Sequence, residues 1–128
     1  MADPVSDMFI RIKNANVARH ETVYISYSRF KNDIAKALSR AGYVGDVEVK
    51  GKRVRKVIEI GLRYRNSEPM VRNVKFLSRP SRRIYASYKE LRASPRGGVV
   101  FLTTPKGVLT ERAAKKEKVG GQLIAEIW

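Results

Sequence analysis

Three kinds of side chain that can grip a folded polynucleotide fall close together in the second half of this sequence. Arg79, Arg82 and Arg83 flank Pro80, Tyr85 follows two residues on, and Thr103, Thr104 and Lys106 gather where an apolar run ends. Recognition of folded RNA needs cations for phosphates, small donors and acceptors for 2′-hydroxyls and minor-groove base edges, and flat side chains for exposed bases. The paired hydroxyls beside Lys106 and Gly107 are the sharpest local feature. Taken singly, each residue has a plainer explanation: threonines in a strand, a tyrosine in the core, arginines on a solvated face. The cluster argues more strongly than its members.

Enzyme chemistry has far less to work with. The chain has one histidine, His20, and no cysteine, and its carboxylates are mostly spaced among bases. Thiolate zinc sites, disulfides and cysteine nucleophiles are therefore excluded, and a lone histidine without partners is more often a surface or structural residue than a general base. Gly97-Gly98 and Gly120-Gly121 match neither a phosphate loop nor a dinucleotide fingerprint in spacing, and Lys106-Gly107 lacks the preceding glycine. Asp3 and Asp7 suit the first turn of a helix, where carboxylates offset the dipole, better than a metal site. The reading is of a protein that is not an enzyme and uses no cofactor.

The charge balance names the class of partner. The 27 Lys and Arg against 12 Asp and Glu give +15 over 128 residues, with a pI near 10.5, so a phosphate polymer is the obvious counter-charge. The excess is lopsided: residues 50–96 hold 15 basic residues and only Glu59, Glu68 and Glu90 as acids. Hydrophobic residues still make up 43%, so the charge decorates a folded core. A chain of this length buries roughly two-thirds of its unfolded surface without staples. No apolar run approaches the roughly 18 residues of a membrane helix, and Asp3 and Asp7 stand where a signal peptide would be positive. The expectation is a soluble, unexported, cytoplasmic protein with no membrane partner.

The elements that would position the cluster follow from periodicity. Asp3-Pro4 starts a helix over about residues 4–16, with a side-chain acceptor for the free N–H groups and Val5, Met8, Phe9 and Ile12 as one apolar stripe, leaving Arg11, Lys13 and Asn14 outside. A short strand over Val23–Tyr27 ends at Ser28, which caps a second helix carrying Phe30, Ile34, Leu38 and Ala41 and closed by Gly42. Period-two alternation then predicts a hairpin turning at Gly51-Lys52, with Val54, Lys56, Ile58, Ile60 and Leu62 sharing one parity. Tyr64 to Met70 is polar and contains Pro69, which suggests a lobe boundary. Beyond it come a strand at Val74–Phe76, a turn at Arg79-Pro80-Ser81, extended chain over Arg82–Ala86 and one helical turn at Tyr88–Leu91. The run Val99–Leu102 suits a strand covered on both faces. Pro105-Lys106-Gly107 must turn tightly, Thr110-Glu111 caps a short helix to about Lys116, and Gln122–Trp128 is a last strand. The fold class is α+β in two small lobes: an N-terminal α-β-α-β-β lobe over residues 1–65 and a mainly β lobe with short helices over residues 66–128, the principal RNA-binding region.

These residues also carry a family likeness. Asp3-Pro4-Val5-Ser6-Asp7-Met8 with Arg11-Ile12-Lys13-Asn14-Ala15 resembles the first helix of bacterial small-subunit ribosomal protein eight. Lys106-Gly107-Val108-Leu109-Thr110, Gly120-Gly121 and Ile127-Trp128 resemble its C-terminal signature, and Ser78-Arg79-Pro80-Ser81-Arg82-Arg83-Ile84-Tyr85 its middle segment. The likeness covers about residues 3–128. It implies a structural, primary binder of the central domain of small-subunit ribosomal RNA that helps organise the platform. It also implies the fifth and twelfth small-subunit proteins as neighbours and, in some bacteria, repression of its own messenger RNA. Two positions depart from the family pattern: Pro105 replaces the third residue of a serine-threonine-serine loop, losing a hydroxyl and an N–H, and Gln122 replaces a glutamate, keeping an acceptor but losing the charge. The expected RNA contacts are Arg79, Arg82, Arg83, Tyr85, Thr103, Thr104, Lys106, Gly107 and Gln122, with Arg11 and Asn14 on the first helix. The rival class is a general nucleic-acid-binding protein, which charge alone would permit.

Overall fold

The structure, a computed structural model, describes residues 3–128. It is an α+β fold that divides into two compact units, one ending at Arg72 and one spanning Asn73–Trp128.

In the first unit, α1 (Pro4–Val17) buries Met8, Phe9 and Ile12 on one stripe. Asp3 occupies the cap position in extended backbone, but its carboxylate bonds no helix N–H; it accepts instead from the Ser6 hydroxyl at 3.4 Å. Strand β1 (Thr22–Ser26) leads to α2 (Arg29–Arg40), whose cap Ser28 accepts from the Lys31 N–H at 3.2 Å. Gly42 ends α2 at φ +85°, letting the Tyr43 N–H reach back to the Leu38 carbonyl at 2.9 Å. The buried stripe of α2 runs through Lys31, Ile34, Ala35 and Leu38, which leaves Phe30 39% exposed where the periodicity expected core. Lys31 tolerates burial because its ammonium donates to Ser26 Oγ at 2.8 Å.

Strands β2 (Val44–Lys50) and β3 (Val57–Leu62) complete an antiparallel sheet of order β1-β3-β2. The pairing of Lys50 with Val57 places residues 51–56 in the connection, which contains a 3-10 turn at Arg53–Arg55. Val54, expected on the buried parity, is 98% exposed there. Positive φ at Gly51 (+93°) and Arg53 (+55°) takes the chain out of extended register before Val54 is reached.

A second hairpin, β4 (Tyr64–Arg65) with β5 (Glu68–Pro69), is tied to the first helix by Asn16. The buried Asn16 amide donates to the Arg63 carbonyl at 3.1 Å and accepts from the Val71 N–H at 2.9 Å, one bond at each end of the hairpin. Residues 66–72 therefore pack with the first unit, whereas the polar composition suggested a division after residue 65. Composition marks this segment as a linker; a single buried side chain makes it part of a domain.

In the second unit, β6 (Val74–Phe76), β7 (Tyr85–Ala86), β8 (Val99–Thr104), β9 (Gly107–Thr110) and β10 (Gly121–Ile127) form one antiparallel sheet of order β6-β10-β8-β9, with β7 also on β10. Phe101 and Leu102 are both fully buried, as an uninterrupted apolar run requires of a strand covered on both faces. The helix α3 (Glu111–Glu117) is capped by Thr110, which accepts from the Ala113 N–H at 3.2 Å. Leu91, Leu102 and Ala114 form the centre of a core completed by Ala86, Tyr88, Leu109, Val119 and Leu123. Strand β9 is an element the pattern did not announce. The segment from Tyr88 is a turn and not helical: the Glu90 N–H bonds the Ser87 carbonyl at 3.0 Å, and the Glu90 carboxylate accepts from the Ser87 N–H at 2.7 Å. That N–H holds the Glu90 carboxyl below its ordinary range.

Asn16→Ala should strand the Val71 N–H and the Arg63 carbonyl, a loss of about 2–3 kcal/mol. Urea unfolding of the full chain is expected to show a lower midpoint at unchanged m-value; an unaltered midpoint would mean that the clamp contributes nothing.

Candidate nucleic-acid interface

Gln122 of β10 stands opposite Tyr85 of β7 on one side and Thr103 of β8 on the other. Residues directly opposite in antiparallel strands share a face, so the three side chains form one row across three strands. The adjoining parity holds Ala86, Leu102 and Leu123, which face the core cluster. Alternation thus separates the row from the core, and Tyr85, 69% exposed, presents its ring to solvent instead of filling the interior. A glycine pair holds the strand ends together. A Cβ on Gly121 would lie 1.8 Å from the Thr103 carbonyl oxygen, and one on Gly120 would lie 2.3 Å from that of Ala86. Any side chain at either position would push β10 off the strand ends that carry Thr103 and Tyr85.

Arg79, Arg82 and Arg83 project from a connection that is closed twice over. Arg79 and Arg82 exchange two backbone hydrogen bonds, each 2.9 Å, around Pro80 and Ser81. At the foot of the turn, buried Ser78 accepts from the Ile84 N–H at 2.9 Å and donates to the Ile84 carbonyl at 3.3 Å. The stems are fastened beside the irregularity in β10, where the Leu77 N–H bonds the Ile124 carbonyl and the Leu123 N–H bonds the Ile84 carbonyl. Because Ser78 takes the Ile84 N–H, only the Ile84 carbonyl reaches β10, regular pairing begins at Tyr85, and the extended stretch expected from Arg82 shrinks to Tyr85–Ala86. All three arginines are exposed on a fixed turn. Sequence reasoning did not place Ser78 among the site residues; its signal was its position as the first residue of the Ser78–Tyr85 segment, a small hydroxyl at the foot of a basic turn.

At the other end of the row, Thr104 pairs with Gly107 and encloses a turn of Pro105 and Lys106. The Thr104 hydroxyl accepts from the Lys106 N–H at 3.0 Å and donates to the Gly107 carbonyl at 2.8 Å. Thr104 therefore shapes the turn, with its one proton already committed. Pro105 removes no ladder bond, since pairing ends at Thr104 and Gly107, and the proline ring pre-sets the first corner of the turn. Lys106 Nζ lies 3.1 Å from Glu117 Oε2, with both side chains about half exposed. Such a pair is weak and can be exchanged for a phosphate.

Charge in this unit favours an anion more than its composition indicates. Of its four acids, Glu111 and Glu126 are buried and used internally: Glu111 accepts from the Val100 N–H at 2.9 Å, while Glu126 accepts from the Ser94 hydroxyl and pairs with Arg96 at 2.9 Å. No group of three or more His, Cys, Asp or Glu residues that could hold a metal ion occurs among the described residues. The sheet thus gathers Arg79, Arg82, Arg83, Tyr85, Gln122, Thr103, Thr104, Lys106 and Gly107 in one unit. Arg11 and Asn14 are exposed on α1 in the other.

Ser78→Ala should cost about 1–3 kcal/mol by leaving the Ile84 N–H without its partner, while the Ile84 carbonyl keeps the Leu123 N–H. Amide exchange at Ile84 and Arg82 is expected to accelerate while the α3 amides stay protected. Equal protection in both proteins would show that the turn holds its shape without Ser78.

The family model described as Ribosomal protein S8 matches residues 3–128. Small ribosomal subunit protein uS8 of Dictyoglomus turgidum is 40% identical over 129 residues, spanning all of this chain and 98% of that protein. The uS8 proteins of Thermus aquaticus and Bacillus mycoides are 40% and 37% identical, again over the whole chain and 99% and 98% of their own lengths. The chain belongs to the ribosomal protein S8 family, whose members are structural, non-enzymatic proteins of the small ribosomal subunit.

Proposed function

We propose that this protein is a primary ribosomal-RNA binder that helps assemble the platform of the small subunit of the cytoplasmic ribosome, with its second unit, within residues 66–128, as the principal RNA-binding region. The observation that carries this reading is the Tyr85–Gln122–Thr103 row between two rigid turns. The row offers a flat ring for an exposed base and small polar groups for 2′-hydroxyls and minor-groove edges. The arginine turn and Lys106 supply phosphate contacts that set orientation. At this site Gln122 acts as an uncharged donor and acceptor and Pro105 as a stiffener of the turn. Arg11 and Asn14 are secondary contacts on α1.

The favoured RNA is a folded helix of the central domain. The fifth and twelfth small-subunit proteins as neighbours, and a mimic site in the protein's own messenger, belong to the same reading and rest on family membership alone.

Binding of the full chain is to be measured against a central-domain ribosomal RNA helix, an equal-length scrambled hairpin and a DNA duplex at several salt concentrations. A preference of roughly a thousandfold for the first, surviving physiological salt, is expected. Equal affinities that collapse together would leave only a general nucleic-acid binder. Tyr85→Ala should lower cognate affinity by about 1–3 kcal/mol without changing the salt slope, as loss of base stacking does. Thr104→Val should weaken binding while the overall fold persists; unchanged affinity would remove the hairpin turn from the site.

A further inference from the structure

The β2–β3 connection in the first unit carries a second concentration of cations that the site above does not use. Residues 50–56 read Lys-Gly-Lys-Arg-Val-Arg-Lys, and no carboxylate occurs from Val49 to Ile58. Two of these cations are already engaged. Lys50 lies 2.6 Å from Glu59 and 3.9 Å from Glu48, which hold it charged and above the ordinary lysine value, while Lys56 sits 5.4 Å from the centre of the Tyr27 ring. Lys52, Arg53 and Arg55 are exposed, stand around the 3-10 turn and, among the described residues, form no ion pair with a carboxylate.

The backbone at the tip adds an independent observation. Arg53 has φ +55°, a left-handed conformation that favours glycine or asparagine and strains other residues. Gly51, at φ +93°, cannot be replaced cheaply, since a Cβ there would meet the Arg55 carbonyl oxygen at 2.5 Å. The turn is therefore tight and specified, and at its strained corner stands a guanidinium where a glycine would relieve the backbone. Val54 at the apex is 98% exposed, so the tip projects into solvent instead of folding back on the sheet.

We infer that the β2–β3 tip is a second RNA-docking element, in which Lys52, Arg53 and Arg55 contact phosphates of an RNA backbone without reading sequence. This rests on the RNA-binding reading given above, and it assigns the first unit an electrostatic role separate from the Tyr85 row. Phosphates fit this tip better than an acidic protein surface: three exposed cations around one turn, with no carboxylate from Val49 to Ile58, give attraction without a shaped pocket.

The test measures salt-dependent binding of the full chain to the central-domain ribosomal RNA helix with its flanking RNA, and to the scrambled hairpin. The triple variant Lys52→Gln, Arg53→Gln, Arg55→Gln is compared with a charge-matched control, Arg29→Gln, Lys36→Gln, Arg65→Gln. Loss of three phosphate contacts should make the slope of log K against log[salt] shallower by about 2–3. The loss should affect both RNAs alike, so that the ratio between them is unchanged, and the control should change the slope by less than half as much. Arg53→Gly should also weaken RNA binding while melting at the wild-type temperature or above it. Equal slope losses in both triple variants, or no loss in the first, would overturn the docking role, the latter outcome pointing to a protein neighbour for the tip. Failure of the wild-type chain to prefer the ribosomal helix would sink the site reading instead, a result seen before any variant is compared.

Discussion

Strand β10 is the constraint on which the second unit depends. It is paired along both edges: with β8 over its length on one side, and with β6 and then β7 in succession on the other. Because side chains alternate with a period of two, the register of β10 decides in one step which residues fill the core and which face outward. A slip of one position would bury Gln122 and expose Leu123 and, through the pairings, would misalign Tyr85 with Thr103. The register shift between Leu123 and Ala125 falls where β10 changes partner from β7 to β6. The arginine turn leaves the sheet edge there, so one irregularity both ends a pairing and launches a loop.

Around that sheet, single polar side chains do the work of whole elements. Ser78 closes the arginine turn, Thr104 closes the hairpin turn, Glu111 answers the Val100 N–H and Asn16 fastens the 63–71 hairpin. Each satisfies backbone groups that would otherwise be buried or strained without a partner, and each converts a flexible connection into a fixed one. Fixed turns suit a surface that meets a structured polyanion, because loops that must be ordered on binding lose part of the interaction energy to conformational entropy.

The cations fall into two kinds. Some are held by acids or rings, as with Lys50, Lys56 and Arg96, and these organise the protein's own surface. Others, among them Arg79, Arg82 and Arg83, stand exposed on turns whose shape the backbone sets without them. Net charge counts both kinds equally, although only the second is free to neutralise a phosphate at no cost to the fold.

By itself the sequence determined the α+β class, the three helices and the apolar stripe of the first, the doubly covered strand at Val99–Leu102 and the family. It also brought the cations, hydroxyls and Tyr85 forward as a set. These are local or composition-borne properties: periodicity, capping residues and short motifs act over a few neighbouring positions. The tertiary structure decided what depends on pairing across the chain. It placed Tyr85 opposite Gln122 and Gln122 opposite Thr103 from segments far apart in sequence, and it drew residues 66–72 into the first unit through Asn16. It also turned Val54 outward on a tip that alternation alone would have buried. Register, reciprocal hydrogen bonds and backbone sign are relations between residues, and no single stretch of sequence carries them.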